Sequence, residues 1–180
     1  MRGTGSHDIA IENAYVPASA IQGRRPRGRW NGGMHIVSKV ALPLIYSVYV
    51  GLAEAARDLA LREAAPKRQR CDTQFLAGEM ETELFNARLA LDRMIEIGSS
   101  WKPGIETTNA CVMARSIVAQ SAIRTVEKAM DLVGGRSFYR CMGLERIYRD
   151  IQAARFHPMA EKSQEQLTGR VALGLEPDLA

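Results

Sequence analysis

Gly134-Gly135-Arg136-Ser137-Phe138-Tyr139-Arg140-Cys141-Met142-Gly143-Leu144-Glu145-Arg146-Ile147-Tyr148-Arg149-Asp150, continuing through Ile151-Gln152-Ala153-Ala154-Arg155-Phe156 to His157-Pro158, is the stretch that decides the fold. Gly134 and Gly135 stop a helix, because glycine accepts the left-handed conformation of a helix C-cap without steric cost. Ahead of them Val112, Ser116, Ala119, Ile123, Val126, Met130 and Val133 recur in alternating steps of four and three, which predicts a helix from about Thr108 to Val133. That period is the seam of helices packed at a shallow angle. Behind the glycines, Glu145–Arg149 and Arg146–Asp150 stand at i,i+4 spacing on a second helix from about Leu144 to Phe156. It must finish before Pro158, since proline disfavours helical geometry in the residue before it.

Two more long helices precede these. Leu76, Met80, Leu84, Ala87, Leu91 and Met94 form one stripe of a helix over about Thr73 to Ile97, ended by Gly98 and Pro103-Gly104. The segment from about Met34 to Ala65 is apolar nearly all round between Ile36 and Leu52, the mark of a helix buried on several sides. Pro43 inside it should remove a backbone hydrogen bond and bend it. Ser163-x-x-Gln166 has the pattern of a capping box for a short last helix to about Leu173. Asp8 to Val16 alternates like a half-buried strand, with Ile9 and Ile11 inward, and the Gly/Arg-rich residues 18–33 read as a loop. The predicted fold is all-α: an antiparallel up-and-down four-helix bundle over 34–180, with a short extra C-terminal helix and an extended N-terminal arm over 1–33.

A chain of 180 residues is one domain by length and can bury a sizeable core. The net charge of +4 comes partly from Arg24, Arg25, Arg27 and Arg29 and from Lys67, Arg68 and Arg70. No aromatic-interleaved patch or reading helix accompanies them, so nucleic acid is not the expected partner. Cys71, Cys111 and Cys141 lack zinc or disulfide spacing, which predicts a reducing compartment, the cytoplasm, and no metal site. The longest apolar run, Val40 to Leu52, is too short for a bilayer, so no membrane association is expected.

The Gly-Gly turn, the Leu144-x-Arg146-x-x-Arg149-Asp150 helix start and His157 near its end resemble the last signature of the acyl-CoA dehydrogenase superfamily. Met1-Arg2-Gly3-Thr4-Gly5-Ser6, then Asp8 to Pro17, resemble that family's passage from its middle β-domain into its C-terminal helical domain. The resemblance covers nearly the whole chain and implies the C-terminal domain of a flavin-dependent oxidoreductase, with FAD as cofactor and FMN as the variant. It also implies homo-oligomers, dimers or tetramers. In the family the flavin ring rests mainly on the β-domain, so these 180 residues alone are expected not to retain flavin. The resemblance gives Gly134 and Gly135 an approach to the adenine and pyrophosphate end of FAD held by a neighbouring subunit. Arg68 and Arg70 match the family's flavin-contacting arginine only loosely, because the Phe-Gly that follows it there is missing.

The catalytic candidate is His157. A dehydrogenase that removes a proton α to a carbonyl needs a carboxylate in contact with the carbon. The family supplies it either just after the Arg-Asp helix or early in the first long helix; here those places fall at His157-Pro158 and near Ala41. Neither holds a carboxylate, and Glu161 lies past Pro158. A histidine at the helix end resembles the hydroxylase and monooxygenase branch, where an imidazole near neutrality suits deprotonation of a substrate. The alternative for His157 is a surface histidine favoured by the helix dipole. Three functions stay open: dehydrogenation of an acyl-CoA, oxygenation of a small aromatic-type substrate, and a non-catalytic helical assembly module. His7 and His35 have no partner at metal-ligand spacing and read as loop and helix-start residues.

Overall fold

The computed structural model of the protein describes residues 7–23 and 27–177. Three long helices, α1 (Gly33–Ala64), α2 (Cys71–Ser100) and α3 (Ile105–Val133), are followed by α4 (Leu144–Ile151) and α5 (Glu161–Ala172). No strand occurs among the described residues. The motif residues Met1–Ser6 and Arg24–Arg25 lie outside them.

Ion pairs give the directions. Arg57–Glu81 and Glu54–Arg88 link α1 to an antiparallel α2; Glu83–Arg124 and Glu79–Lys128 link α2 to an antiparallel α3. The pairs are largely exposed, so they set register more than stability. The stabilising term is the apolar seam: Tyr46, Ala53, Ala56, Met80, Ala87, Met94, Val118, Ala119 and Val126 are all fully buried where the three helices meet. Every member of the expected α2 stripe is buried except Leu76, which is half-buried.

Several sequence expectations are corrected. The fourth helix is short: α4 covers two turns and continues as a 3-10 segment, Gln152–Arg155. Gly98 does not end α2, which runs two residues further; Pro43 lies inside α1, where the sequence placed it. The reason is the crossing itself. A Cβ on Gly98 would stand 2.6 Å from the Lys39 carbonyl oxygen and 3.5 Å from Pro43 Cγ, so the glycine permits close approach of α1. Ser163 and Gln166 form no capping box, because α5 begins earlier, at Glu161. Asp8 to Val16 forms no strand, and Ile9 and Ile11 are both exposed; a lone strand has no ladder to join.

One face of α1 remains uncovered: Val37, Val40, Leu44 and Val48 are exposed at helical spacing. With the turn after it, α1 makes a stretch of 35 residues whose most apolar window has mean hydropathy 1.7. By length and composition it is long enough to cross a membrane, a test that a buried core helix passes as well. Its other face is core, with Tyr46, Ala53, Ala56 and Ala60 sealed against α2 and α3.

Candidate functional site

The segment after α4 is held in place by a residue that the sequence reading did not single out. Arg115, in the middle of α3, is fully buried. Its guanidinium donates to the carbonyls of Ala154 (3.0 Å) and Arg155 (3.2 Å) and to Ser116 Oγ (3.1 Å). It lies 5.3 Å from the Tyr46 ring centre, a cation–π contact shielded from water. The single proton of the Tyr46 hydroxyl is in turn shared between Ala154 O (2.9 Å) and the carbonyl of His157. Burial pushes the Tyr46 phenol well above its ordinary value, with Arg115 pulling the other way. A second chain, Ser116 to Gln164 (2.6 Å), Gln164 to Thr168 (2.8 Å) and Thr168 to Asn109 (2.9 Å), fastens α5 to α3. Between these anchors Met159 sits at φ 69°, a left-handed conformation that costs a side-chain-bearing residue ~1–2 kcal/mol.

His157 is exposed. Its ring stands edge-on to Tyr49 at 6.5 Å and 83°, with Nδ1 3.3 Å from the Tyr49 hydroxyl. The residues that follow form one wall of a cleft of about 340 Å³, opened between that corner, the start of α1 and α3. Ala41 and Pro158 both line it, so the two places at which the family resemblance would put a carboxylate converge on one cavity. No carboxylate lines it among the described residues. Trp30, Val37, Val112 and Met159 give it an apolar surface, relieved by the hydroxyls of Ser38, Thr108 and Ser163. Glu161 opens α5 just beyond.

The other sequence candidates lie at the opposite end of α1. Arg136, in the turn after Gly134 and Gly135, pairs with Glu63 at 2.8 Å, while His157 meets α1 at Tyr49. From Tyr49 to the end of α1 is about 22 Å at ~1.5 Å per residue. Gly134 has φ +74°, and the space around both glycines is open. The groove there is edged by Glu127 and Asp131 beside Phe138 and Tyr148. Arg70 is clamped by Asp72 at 2.7 and 3.0 Å, and that pairing holds the Asp72 carboxyl down at about 2. Arg68 is exposed. In this chain alone the open glycine turn thus stands beside two carboxylates, with Arg136 and Arg70 each held in an ion pair.

His35, which has no partner at metal-ligand spacing, is held by a hydroxyl: its Nδ1 is 2.8 Å from Thr108 Oγ1, which is 3.0 Å from Ser38 Oγ. Burial lowers the His35 pKa from its ordinary 6.5. The unfolded chain therefore binds this proton more readily than the folded one, and the stability His35 supports is complete above 6.5 and falls as pH drops below it. Thermal melts are expected to show a lower midpoint at about pH 5.5 than at about pH 7.5, with the gap reduced in His35→Gln. An unchanged gap would remove His35 from the account.

The comparisons with known proteins agree with this architecture. The family model for the acyl-CoA dehydrogenase C-terminal domain matches residues 43–157, and the chain belongs to that family. It is 33% identical over 171 residues to the putative acyl-CoA dehydrogenase YdbM of Bacillus subtilis (strain 168), covering 88% of this chain and 42% of the relative. It is 28% identical over 187 residues to the amino sugar nitrososynthase DnmZ of Streptomyces peucetius, covering 97% of this chain and 46% of the relative. Among solved structures, KijD3 in complex with FMN and dTDP-3-amino-2,3,6-trideoxy-4-keto-3-methyl-D-glucose superimposes with TM-score 0.73 at 27% identity, over 87% of this chain and 42% of that one. The chain thus spans less than half the length of these relatives.

Proposed function

We propose that this chain is the substrate-facing helical part of a flavin-dependent oxidoreductase, and that the chemistry beside its cleft is oxygenation of a small substrate. One observation carries the reading: Ala41 and Pro158 meet on a single cavity to which no carboxylate contributes. Removal of a proton α to a thioester needs such a base, and nothing lining the cleft supplies one. The likeness to a nitrososynthase supports the same direction. His157, beside Pro158 and against Tyr49, is the residue we assign to proton handling at the rim. In a flavin-loaded enzyme containing this chain, acyl-CoA is expected to give no reduction of an artificial electron acceptor. Acyl-CoA-dependent dye reduction would instead establish the second reading, Cα–Cβ dehydrogenation, which the 33% identity to a putative acyl-CoA dehydrogenase supports. Glu161 would then be the base to test, since it opens α5 at the cleft corner.

The cofactor reading is part of the proposal. Flavin belongs with the family, and FAD or FMN is the group an enzyme containing this chain would carry. The 180-residue polypeptide, however, offers no phosphate cradle of its own at Gly134, Gly135, Arg68 or Arg70. We therefore expect it to purify colourless and to show no flavin absorbance after incubation with FAD and gel filtration. A yellow, near-stoichiometric preparation would overturn that assignment. The uncovered face of Val37, Val40, Leu44 and Val48 supports self-association into dimers or tetramers. Light scattering at tens of micromolar checks this, and a clean monomer would contradict it. A cytoplasmic location completes the reading, resting on three free thiols, two of them exposed.

A further inference from the structure

The cleft has a chemical polarity that its shape alone does not reveal. Its sealed polar edge is made by two hydroxyls, Thr108 at 1% exposure and Ser38 at 8%. Ser38 Oγ donates to the His35 carbonyl oxygen at 3.2 Å and lies 3.0 Å from Thr108 Oγ1. A serine hydroxyl has one proton and two lone pairs. Here its proton has two acceptors within reach, so whichever takes it, the Ser38 oxygen is left as an acceptor. The imidazole completes the chain. Burial favours the neutral ring, and its Nδ1, 2.8 Å from Thr108 Oγ1, accepts the Thr108 proton in one tautomer and donates to Thr108 in the other. In the first case Thr108 is committed to His35, and in the second its proton can go to Ser38 Oγ, 3.0 Å away, which donates to the His35 carbonyl; in both, Ser38 Oγ keeps a lone pair for a donor in the cleft. Around this point Val37, Leu42, Val112 and Met159 present only carbon or sulfur. A volume of about 340 Å³ holds a group of about ten non-hydrogen atoms, taking ~30 Å³ for each as for water.

We propose that the cleft binds a small uncharged molecule, apolar over most of its surface, through one O–H or N–H group that donates a hydrogen bond to Ser38 Oγ. This deepens the reading of the cleft as the substrate wall and rests on it for the word substrate, though not for the binding. A carboxylate or phosphate is disfavoured on two grounds: it brings no donor for Ser38 Oγ, and no cation lines the cavity to offset its desolvation, which the single Ser163 hydroxyl at its edge does not replace. A plain hydrocarbon enters but leaves the Ser38 oxygen without a donor, which weakens it by the value of one hydrogen bond.

The test uses the 180-residue chain and three fluorinated probes of one shape, followed by fluorine NMR titration: 4-fluorobenzyl alcohol, 4-fluorotoluene and 4-fluorobenzoate. The alcohol is expected to bind about three- to tenfold more tightly than the toluene, the factor that one neutral hydrogen bond gives. The benzoate is expected not to bind. Ser38→Ala should bring the alcohol down to the toluene's affinity while leaving the toluene unchanged. Ala41→Phe, checked for intact helical circular dichroism, should fill the cavity and abolish both. Equal binding of alcohol and toluene, a preference for the benzoate, or an alcohol preference that survives Ser38→Ala would each overturn the proposal. If the probes behave as expected while Ala41→Phe leaves turnover of a flavin-loaded enzyme untouched, the binding site stands and only its reading as the substrate wall fails.

Discussion

Arg115→Ala is expected to lower folding stability by about 3–5 kcal/mol, the largest effect of any single truncation in this domain. Arg115 is the largest side chain that is wholly buried. A buried charge persists only where hydrogen bonds replace water, and here three acceptors do so: the carbonyls of Ala154 and Arg155 and the Ser116 hydroxyl. Truncation leaves a cavity under Tyr46 and removes a donor from the Arg155 carbonyl; Ala154 keeps the Tyr46 hydroxyl. Arg115→Lys keeps the charge but not the planar fork that reaches several acceptors, and should recover less than half of the loss. Since a domain of this size is stable by ~5–15 kcal/mol, the alanine variant sits near the edge of folding. Denaturant midpoints for wild type, Arg115→Lys and Arg115→Ala measure the series. A loss under ~1 kcal/mol for alanine would mean that the corner after α4 does not depend on this guanidinium.

Gly98→Ala should cost about 1–3 kcal/mol, although alanine is intrinsically the better helix former. The added methyl would meet the Lys39 carbonyl oxygen at 2.6 Å, and a backbone atom cannot move without moving α1. Lys39 is further fixed across the same crossing by its ammonium, which donates to the Trp101 carbonyl. Gly78 is the internal control: it lies in α2, where a methyl added to it would have nothing within 4 Å, so Gly78→Ala should gain ~0.5–1 kcal/mol from propensity alone. The opposite signs of two identical substitutions in one helix are the signature, read by thermal or denaturant unfolding. Two changes of the same sign would show that α1 and α2 do not meet as closely at Lys39 as they do in this structure.

The same contrast explains how much could be read in advance. The α3 seam was legible because Val112, Ala119, Ile123 and Val126 repeat with the helical period, and all are buried. The Leu144–Asp150 helix start and the Gly134 cap were legible from local chemistry. Arg115 was missed although a signal existed: it is the only charged residue between Glu106 and Arg124, surrounded by small and apolar neighbours. The hydrogen bond between His35 and Thr108 was not legible because 73 residues separate the two. Ser163-x-x-Gln166 read as a cap because the pattern is local, whereas α5 begins at Glu161, with the Gln164 N–H donating to the Ala160 carbonyl.

The sequence by itself determined an all-helical chain, the helix phases and the absence of a carboxylate at Ala41 and at His157-Pro158, because each follows from residue type and short-range spacing. Only the tertiary structure decided that Ala41 and Pro158 share one cavity, that Gly98 marks a close crossing rather than a helix end, and that the Gly134 turn meets the end of α1 while His157 meets its middle. Those facts depend on which helix faces come together. Periodicity shows that a face is apolar, but not which other face covers it, since the hydrophobic effect is non-directional and rewards burial against any partner of suitable shape.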